Sequence, residues 1–320
     1  MSIHFKKDNK IIQIDTANSM YQMQIDKYDR LIHLYYGKNI GDDDLSYLVQ
    51  KYDRGFSPNP NEVGNDRTYS LDVLPQEYTG ADNGDYRICC LEVCNKNGNR
   101  QVDLKYKSHK IYNGKYSLDG LPALFDYKGD AQTLEILMQD DVTGLEVRLL
   151  YGVFEKQDVI TRSVIVKNHN KEKVQIEKIL SANLDFSYGD FDIINFTGRH
   201  TMERQMQRSK VTQGIYQIGS IRGTSSHQQN PFGILCERNA SETYGDCYGL
   251  SFLYSGNFVI EVEQDQFFQT RMAMGIHPHD FSFILESEQE FIAPEVVMSY
   301  SSCGFEKLSH NYHKIFRENL

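Results

Sequence analysis

Four groups of side chains in this sequence are of types that do chemistry. Asp190 and Asp192 stand at i, i+2 in Tyr188-Gly189-Asp190-Phe191-Asp192, and Asp140-Asp141 and Glu261/Glu263 repeat the theme. Two carboxylates held roughly 5–10 Å apart can act as acid and base, or as nucleophile and acid. The chain has 44 Asp and Glu, however, so such pairs arise readily on solvated turns or wet strand faces, and that is the expectation for these. His277-Pro278-His279-Asp280 could supply metal ligands, but Pro278 favours a turn, and a hairpin loop between Met274 and Phe281 is expected. Cys89, Cys90 and Cys94 suggest zinc, yet a structural site wants two closely spaced ligand pairs and no second pair follows. In a strand Cys90 and Cys94 would share a face and Cys89 take the other, so they read as small core residues. No Gly-x-Ser-x-Gly elbow, phosphate-binding glycine loop or His-Glu-x-x-His helix is present. No metal and no cofactor is expected.

The fourth group is a loop, Tyr52-Asp53-Arg54-Gly55-Phe56-Ser57-Pro58-Asn59-Pro60, running on through Asp66-Arg67-Thr68-Tyr69-Ser70-Leu71-Asp72 to Leu74-Pro75-Gln76-Glu77-Tyr78. It holds three of the seven prolines. Each fixes its own φ and pushes the residue before it toward extended backbone, which gives a long loop a defined shape. Such a loop would present Asp53, Arg54, Asp66 and Arg67 beside the Phe56 ring as a contact surface.

The elements that must position these groups are strands. Tyr21–Ile25, Leu145–Leu149, Val174–Glu177 and Val259–Glu263 alternate with period two, the mark of strands with one buried and one wet face. Clusters such as Asn95-Lys96-Asn97-Gly98, Asn113-Gly114 and Ser255-Gly256-Asn257 punctuate them. Together they predict a mainly β chain, a large antiparallel sandwich without internal division across residues 1–304. Two helical patches interrupt it. Asp42, Asp43 and Asp44 before Leu45, Leu48 and Val49 predict a short helix near 42–49. Phe305, Leu308, Tyr312, Ile315 and Phe316 predict an amphipathic helix over 305–320. It reaches the last residue without a capping glycine or proline, as a chain cut before a further domain would.

Composition narrows the function. The chain carries 34 basic and 44 acidic side chains, a net charge of −10, which argues against nucleic acid or an anionic membrane as partner. No run approaches the ~18 apolar residues of a membrane span, and the start lacks a signal-peptide core. Six cysteines in a chain this large fit free thiols in a reducing cytoplasm. There is no Trp to serve as a sugar platform, and the 21 Tyr are expected mostly along core edges.

The words of the loop resemble the amino-terminal region of the glycoside hydrolase family 36 α-galactosidases. Collinear motifs extend the resemblance: Tyr106-Lys107-Ser108-His109, Gly120-Leu121-Pro122-Ala123, Gly198-Arg199-His200-Thr201-Met202-Glu203-Arg204, Ser225-Ser226-His227-Gln228-Gln229-Asn230-Pro231-Phe232, Tyr248-Gly249-Leu250-Ser251-Phe252 and Pro294-Glu295-Val296-Val297-Met298-Ser299-Tyr300-Ser301. The resemblance implies a β-supersandwich followed, beyond Leu320, by a (β/α)₈ barrel carrying both catalytic aspartates. The parent reaction would be retaining hydrolysis of terminal α-1,6-galactosides such as melibiose and raffinose. This stretch would then be non-catalytic, inactive alone, and engaged in homotetramer assembly with a loop lent to a neighbour's active site. The alternative is a free-standing carbohydrate-binding sandwich, and a remote third is an enzyme using its own carboxylates.

Three positions carry over individually as substrate-binding residues. Asp53 matches the family aspartate that reaches a neighbour's pocket, and an acceptor-only carboxylate can hold two sugar hydroxyls. Arg67 matches an arginine of the same lent surface, with a fork able to hold Asp53 or a hydroxyl. His200 is a departure, standing where the pattern Gly-x-Trp-x-x-Glu-Arg has a sugar-stacking tryptophan, and it offers a smaller ring.

Overall fold

A computed structural model describes residues 2–53 and 59–320. Arg54 and Phe56, two of the groups expected on the loop, lie outside the described residues. The chain opens with a four-stranded antiparallel meander, Ile3–Lys6, Ile11–Asp15, Ser19–Ile25 and Leu31–Lys38. From there to Leu91 the path holds only 3₁₀ turns and isolated bridges among the described residues. A second sheet, six-stranded among the described residues, is then built on Val174–Phe186, which pairs with Thr270–Ile276 on one edge and Leu91–Asn95 on the other. The largest sheet, ten-stranded among the described residues, runs from Met202–Lys210 at one edge through Phe191–Arg199, Gln229–Glu237, Cys247–Phe252, Val296–Ser301 and Val159–Asn168 to Leu104–Asn113 at the other.

One hydrophobic cluster draws on all three sheets: Ile14, Tyr21 and Met23 from the first, Ile179, Ile260 and Met274 from the second, Leu149, Val164 and Leu250 from the third. Sharing a core across sheet faces is what makes the fold a sandwich. The strand Val296–Ser301 is buried on both sides because Val296 and Met298 face that core while Val297 joins a second cluster under the C-terminal helix. That helix, Gly304–Asn319, buries Leu308, Tyr312 and Ile315 as the spacing predicts. Tyr312 Oη donates to Val297 O at 3.0 Å, fixing its height on the sheet. Its first residue must be glycine. Gly304 has φ +75°, and a Cβ there would fall 2.3 Å from Ser241 O.

Four expectations change. The helix near 42–49 contracts to one 3₁₀ turn, Ser46–Leu48. Side chains have taken the backbone groups that would start its ladder: Lys6 Nζ donates to Asp42 O, Gln22 Nε2 to Asp43 O, and Leu45 N to Gln22 Oε1. The same contacts bury Gln22, which alternation had assigned to a wet face. Cys90 and Cys94 do not share a face. Cys90 N and Leu91 N both donate to Thr79 O, which breaks the alternation, so Cys90 is buried while Cys94 lies half-buried opposite Val93. Finally, His277–His279 form no hairpin. The strands before and after them, Thr270–Ile276 and Phe283–Leu285, pair antiparallel with the same strand and so run in one direction, which makes the segment an excursion.

Candidate functional site

The long loop divides into an outer and an inner half. In the outer half, the Tyr52 ring stacks on Phe267, centroids 4.4 Å apart and nearly parallel. Asp53 follows, and Arg67 Nε donates to its Oδ1 at 2.9 Å, with both side chains more than 60% exposed. Arg67 is aimed by its neighbours. Asp66 Oδ1 accepts from Thr68 N and Oγ1 at 3.0 and 2.7 Å, and Asn59 Nδ2 donates to Asp66 O at 3.0 Å. Pro60 leads into the 3₁₀ turn Asn61–Val63, whose Val63 plugs a cluster with Tyr69, Leu71 and Leu74. Tyr69 Oη donates to Asp26, tying the loop to the first sheet. The pair leaves a guanidinium fork and a carboxylate exposed, groups of the type that hold ligand hydroxyls.

The inner half runs through the core. Glu77 is fully buried, and its Oε1 accepts from Tyr21 Oη at 2.6 Å, Tyr151 Oη at 2.5 Å and Arg162 Nη1 at 2.8 Å. His33 Nδ1 lies 3.1 Å from Oε2. Burial alone would raise this carboxyl, but Arg162 and the His33 and Tyr151 contacts outweigh it and hold the group below its ordinary value. A second buried network joins Asp85 and Asp185 to Arg271 Nη2, at 2.9 and 2.5 Å, and to Arg87. Asp85 is likewise pushed up by burial and brought below its ordinary value by Arg271 and Arg87. Gln76 N donates to Asp185 Oδ2 at 3.0 Å, so the two networks meet at Gln76-Glu77. Arg162 and Arg271 belong to no motif singled out from the sequence. A readable signal was present, since each is an arginine inside an otherwise uncharged run, Val-Ile-Thr-Arg-Ser-Val-Ile-Val and Thr-Arg-Met-Ala-Met.

His200 lies elsewhere, in the exposed turn between Phe191–Arg199 and Met202–Lys210. Glu203 Oε1 accepts from Thr201 N at 2.9 Å, and Thr201 takes φ +67° to close the turn. Gly189, two residues before the strand Phe191–Arg199, abuts Phe268, the neighbour of the ring under Tyr52. The Asp53 loop is therefore near one end of that strand and His200 at the other, roughly 30 Å apart for nine residues at ~3.3 Å each. Within one chain Asp53 and Arg67 come together and His200 does not join them.

The other carboxylates are held by partners of their own. Asp190 pairs with Arg238, Asp192 with Arg208 at 2.7 Å and Glu261 with Lys178 at 2.7 Å. Asp140 caps its hairpin by accepting from Val142 N and Thr143 N at 2.8 and 3.1 Å, and Asp141 pairs with Lys107. Glu263 accepts from Ile88 N at 2.6 Å. His277 Nδ1 accepts from His279 N at 3.0 Å.

Residues 29–286 match the family described as the glycosyl hydrolase family 36 N-terminal domain. The chain is 48% identical over 320 residues to the bifunctional α-galactosidase/sucrose kinase AgaSK of Mediterraneibacter gnavus, covering all of this chain and 34% of that protein. It is 41% identical over 321 residues to the α-galactosidase AgaA of Geobacillus stearothermophilus, covering all of this chain and 44% of that one. Among solved structures, the galactosidase domain of AgaSK superposes with a TM-score of 0.97 at 48% identity, over 99% of this chain and 44% of that one. A G. stearothermophilus AgaA variant in complex with raffinose gives 0.94 at 42% identity, over 97% of this chain and 43% of that one. The chain thus spans between a third and just under half of the length of these relatives.

Proposed function

The chain belongs to the amino-terminal domain family of glycoside hydrolase family 36, and from that premise we propose that it is the non-catalytic sandwich of a retaining α-galactosidase acting on terminal α-1,6-galactosides such as melibiose and raffinose. Residues 1–304 form the supersandwich, and residues 305–320 lead toward a catalytic barrel that supplies both reactive aspartates. Its work is support. It assembles cytoplasmic homotetramers and lends Asp53 and Arg67 to a neighbouring protomer's pocket, where carboxylate and guanidinium orient sugar hydroxyls. His200 serves a separate contact, with an imidazole in place of an indole and correspondingly less stacking surface.

The observation that supports this reading is the Asp53–Arg67 pair, held more than 60% exposed on a loop whose base is locked into the core at Glu77. A well-anchored loop that ends in an exposed ion pair is shaped for contact. The test is p-nitrophenyl-α-galactoside hydrolysis by this chain alone and by the same chain continued through a relative's catalytic domain. Silence from the first and turnover from the second is the expected result. Turnover by the chain alone would overturn the reading and return attention to its own carboxylates.

A further inference from the structure

Behind the outer half of the loop lies an open cleft of about 470 Å³ with Tyr86 at its edge. Tyr86 is 73% exposed although its neighbours Asp85 and Arg87 are buried in the Arg271 network. Alternation across that anchored tripeptide throws the ring outward, and Tyr86 N is held by Asp72 Oδ1 at 3.2 Å. The ring is thus presented by fixed backbone, which lowers the entropy lost when a ligand lands on it.

Four amide side chains, Asn59, Asn61, Asn83 and Gln101, line the same cleft. Asn83 Oδ1 accepts from Asp85 N at 3.1 Å, which fixes this side chain on its turn. Asn59 Oδ1 is a buried acceptor with no partner among the described residues, in a side chain whose amide nitrogen donates to Asp66 O. The floor is Arg30, whose side chain is 5% exposed and which grips Asp103 and, at 3.0 Å, Glu62. Lys105 adds a second contact to Glu62 at 3.1 Å. These pairs offset one another, and Asp82 on the cleft wall adds one further carboxylate. The lining thus offers an exposed aromatic face, amide groups and carboxylate oxygens with spare lone pairs. An anion is poorly matched to that set. A neutral polyhydroxylated ring, apolar on its face and hydrogen-bonding at its edge, is well matched.

We propose that this cleft is a saccharide-binding site with Tyr86 as its platform, taking a neutral oligosaccharide on the side of the loop that carries Asn59–Glu62. The site goes beyond the role proposed for Asp53 and Arg67 and stands or falls separately from it.

The chain contains no tryptophan, so Tyr86→Trp places a single indole reporter at the cleft while keeping a platform. Titration of this variant with raffinose is expected to give a saturable blue shift, and galacturonate a much weaker one. In the unsubstituted chain, raffinose affinity followed by calorimetry or saturation-transfer NMR should fall about three- to tenfold on Tyr86→Ala, the worth of one ring contact. Tyr127→Ala, at an exposed tyrosine outside the cleft, should leave it unchanged. A flat titration overturns the proposal, as does any result in which Tyr127→Ala weakens binding as much as Tyr86→Ala. Either outcome would leave the proposed function intact.

Discussion

Asp53–Arg67 and Glu77–Arg162 are both carboxylate–guanidinium pairs, each has its carboxylate on the same loop, and their N–O distances are 2.9 and 2.8 Å. By geometry they are equivalent. By environment they are opposites, one pair more than 60% exposed and the other fully buried. In water the attraction is screened and the two side chains are largely free to exchange partners. In the core each charge depends on the other, because solvent cannot replace a lost partner. The inner pair therefore holds the loop in place, and the outer pair is left adjustable. A contact site needs both properties, and this loop separates them by about twenty residues of chain.

Breaking the inner pair should have the largest effect. Arg162→Met strands Glu77 among Tyr21, Tyr151 and His33, and a loss of roughly 3–5 kcal/mol in urea unfolding is expected. Arg271→Leu should behave alike, because it leaves Asp85 and Asp185 facing each other with only Arg87 between. If either variant stayed within 1 kcal/mol of the parent, as an exposed pair would, the division of the loop would fail.

Acid separates the two halves next. Glu77 and Asp85 have folded pKa values below their ordinary ones, so their stabilisation is present above an unfolded pKa of about 4 and lost as pH falls through the folded values. Glu263 and Asp265 oppose this. Burial raises both, so they disfavour the fold at neutral pH and relax on protonation. The urea midpoint should drop between pH 5 and 3, and Glu77→Gln should flatten that drop relative to its own neutral-pH value. An unchanged slope would show that other carboxylates carry the acid sensitivity.

The two halves also differed in what could be read before the structure. Period-two patterns located the strands at Leu145–Leu149 and Val174–Glu177, and the i, +3, +7, +10 spacing located the C-terminal helix, because those signals depend on near neighbours. The exposure of Asp53 and Arg67 was legible for a similar reason, since both lie on one loop. Glu77 and Arg162 are 85 positions apart, and nothing local tells a strand arginine that its partner arrives from another layer. Gln22 and Glu261 misled in the same way, since alternation assigns a face and a later layer covered it. His200 was read from its motif as a smaller ring in place of a tryptophan, and its separation from Asp53 depends on the length of one strand.

An intermediate effect should come from the hinge between the halves. Tyr69→Phe removes the hydroxyl that ties the outer half to Asp26 while keeping the ring in its cluster with Val63 and Leu71. The expected cost is about 1–2 kcal/mol, that of a hydrogen bond to a carboxylate. Hydrogen exchange should speed up across 59–69 and stay slow at 76–78. Equal acceleration of both segments would mean that the loop is one cooperative unit.

The smallest stability effect belongs to the residue with the most direct proposed role. Asp53→Ala removes one exposed partner, so the unfolding free energy of this chain should move by less than about 1 kcal/mol. In the chain continued through a catalytic domain, the same substitution should raise KM for raffinose while leaving kcat within a few-fold, because in the role proposed for it the carboxylate orients hydroxyls and takes no part in bond cleavage. Asp53→Asn should recover part of the loss, since an amide oxygen can still accept from a hydroxyl. A fall in kcat with KM unchanged would put Asp53 in the chemical step, and a loss of stability comparable to that of Arg162→Met would make it one more anchor. The proposed division of the loop requires a third pattern, with stability kept, affinity lost and turnover retained.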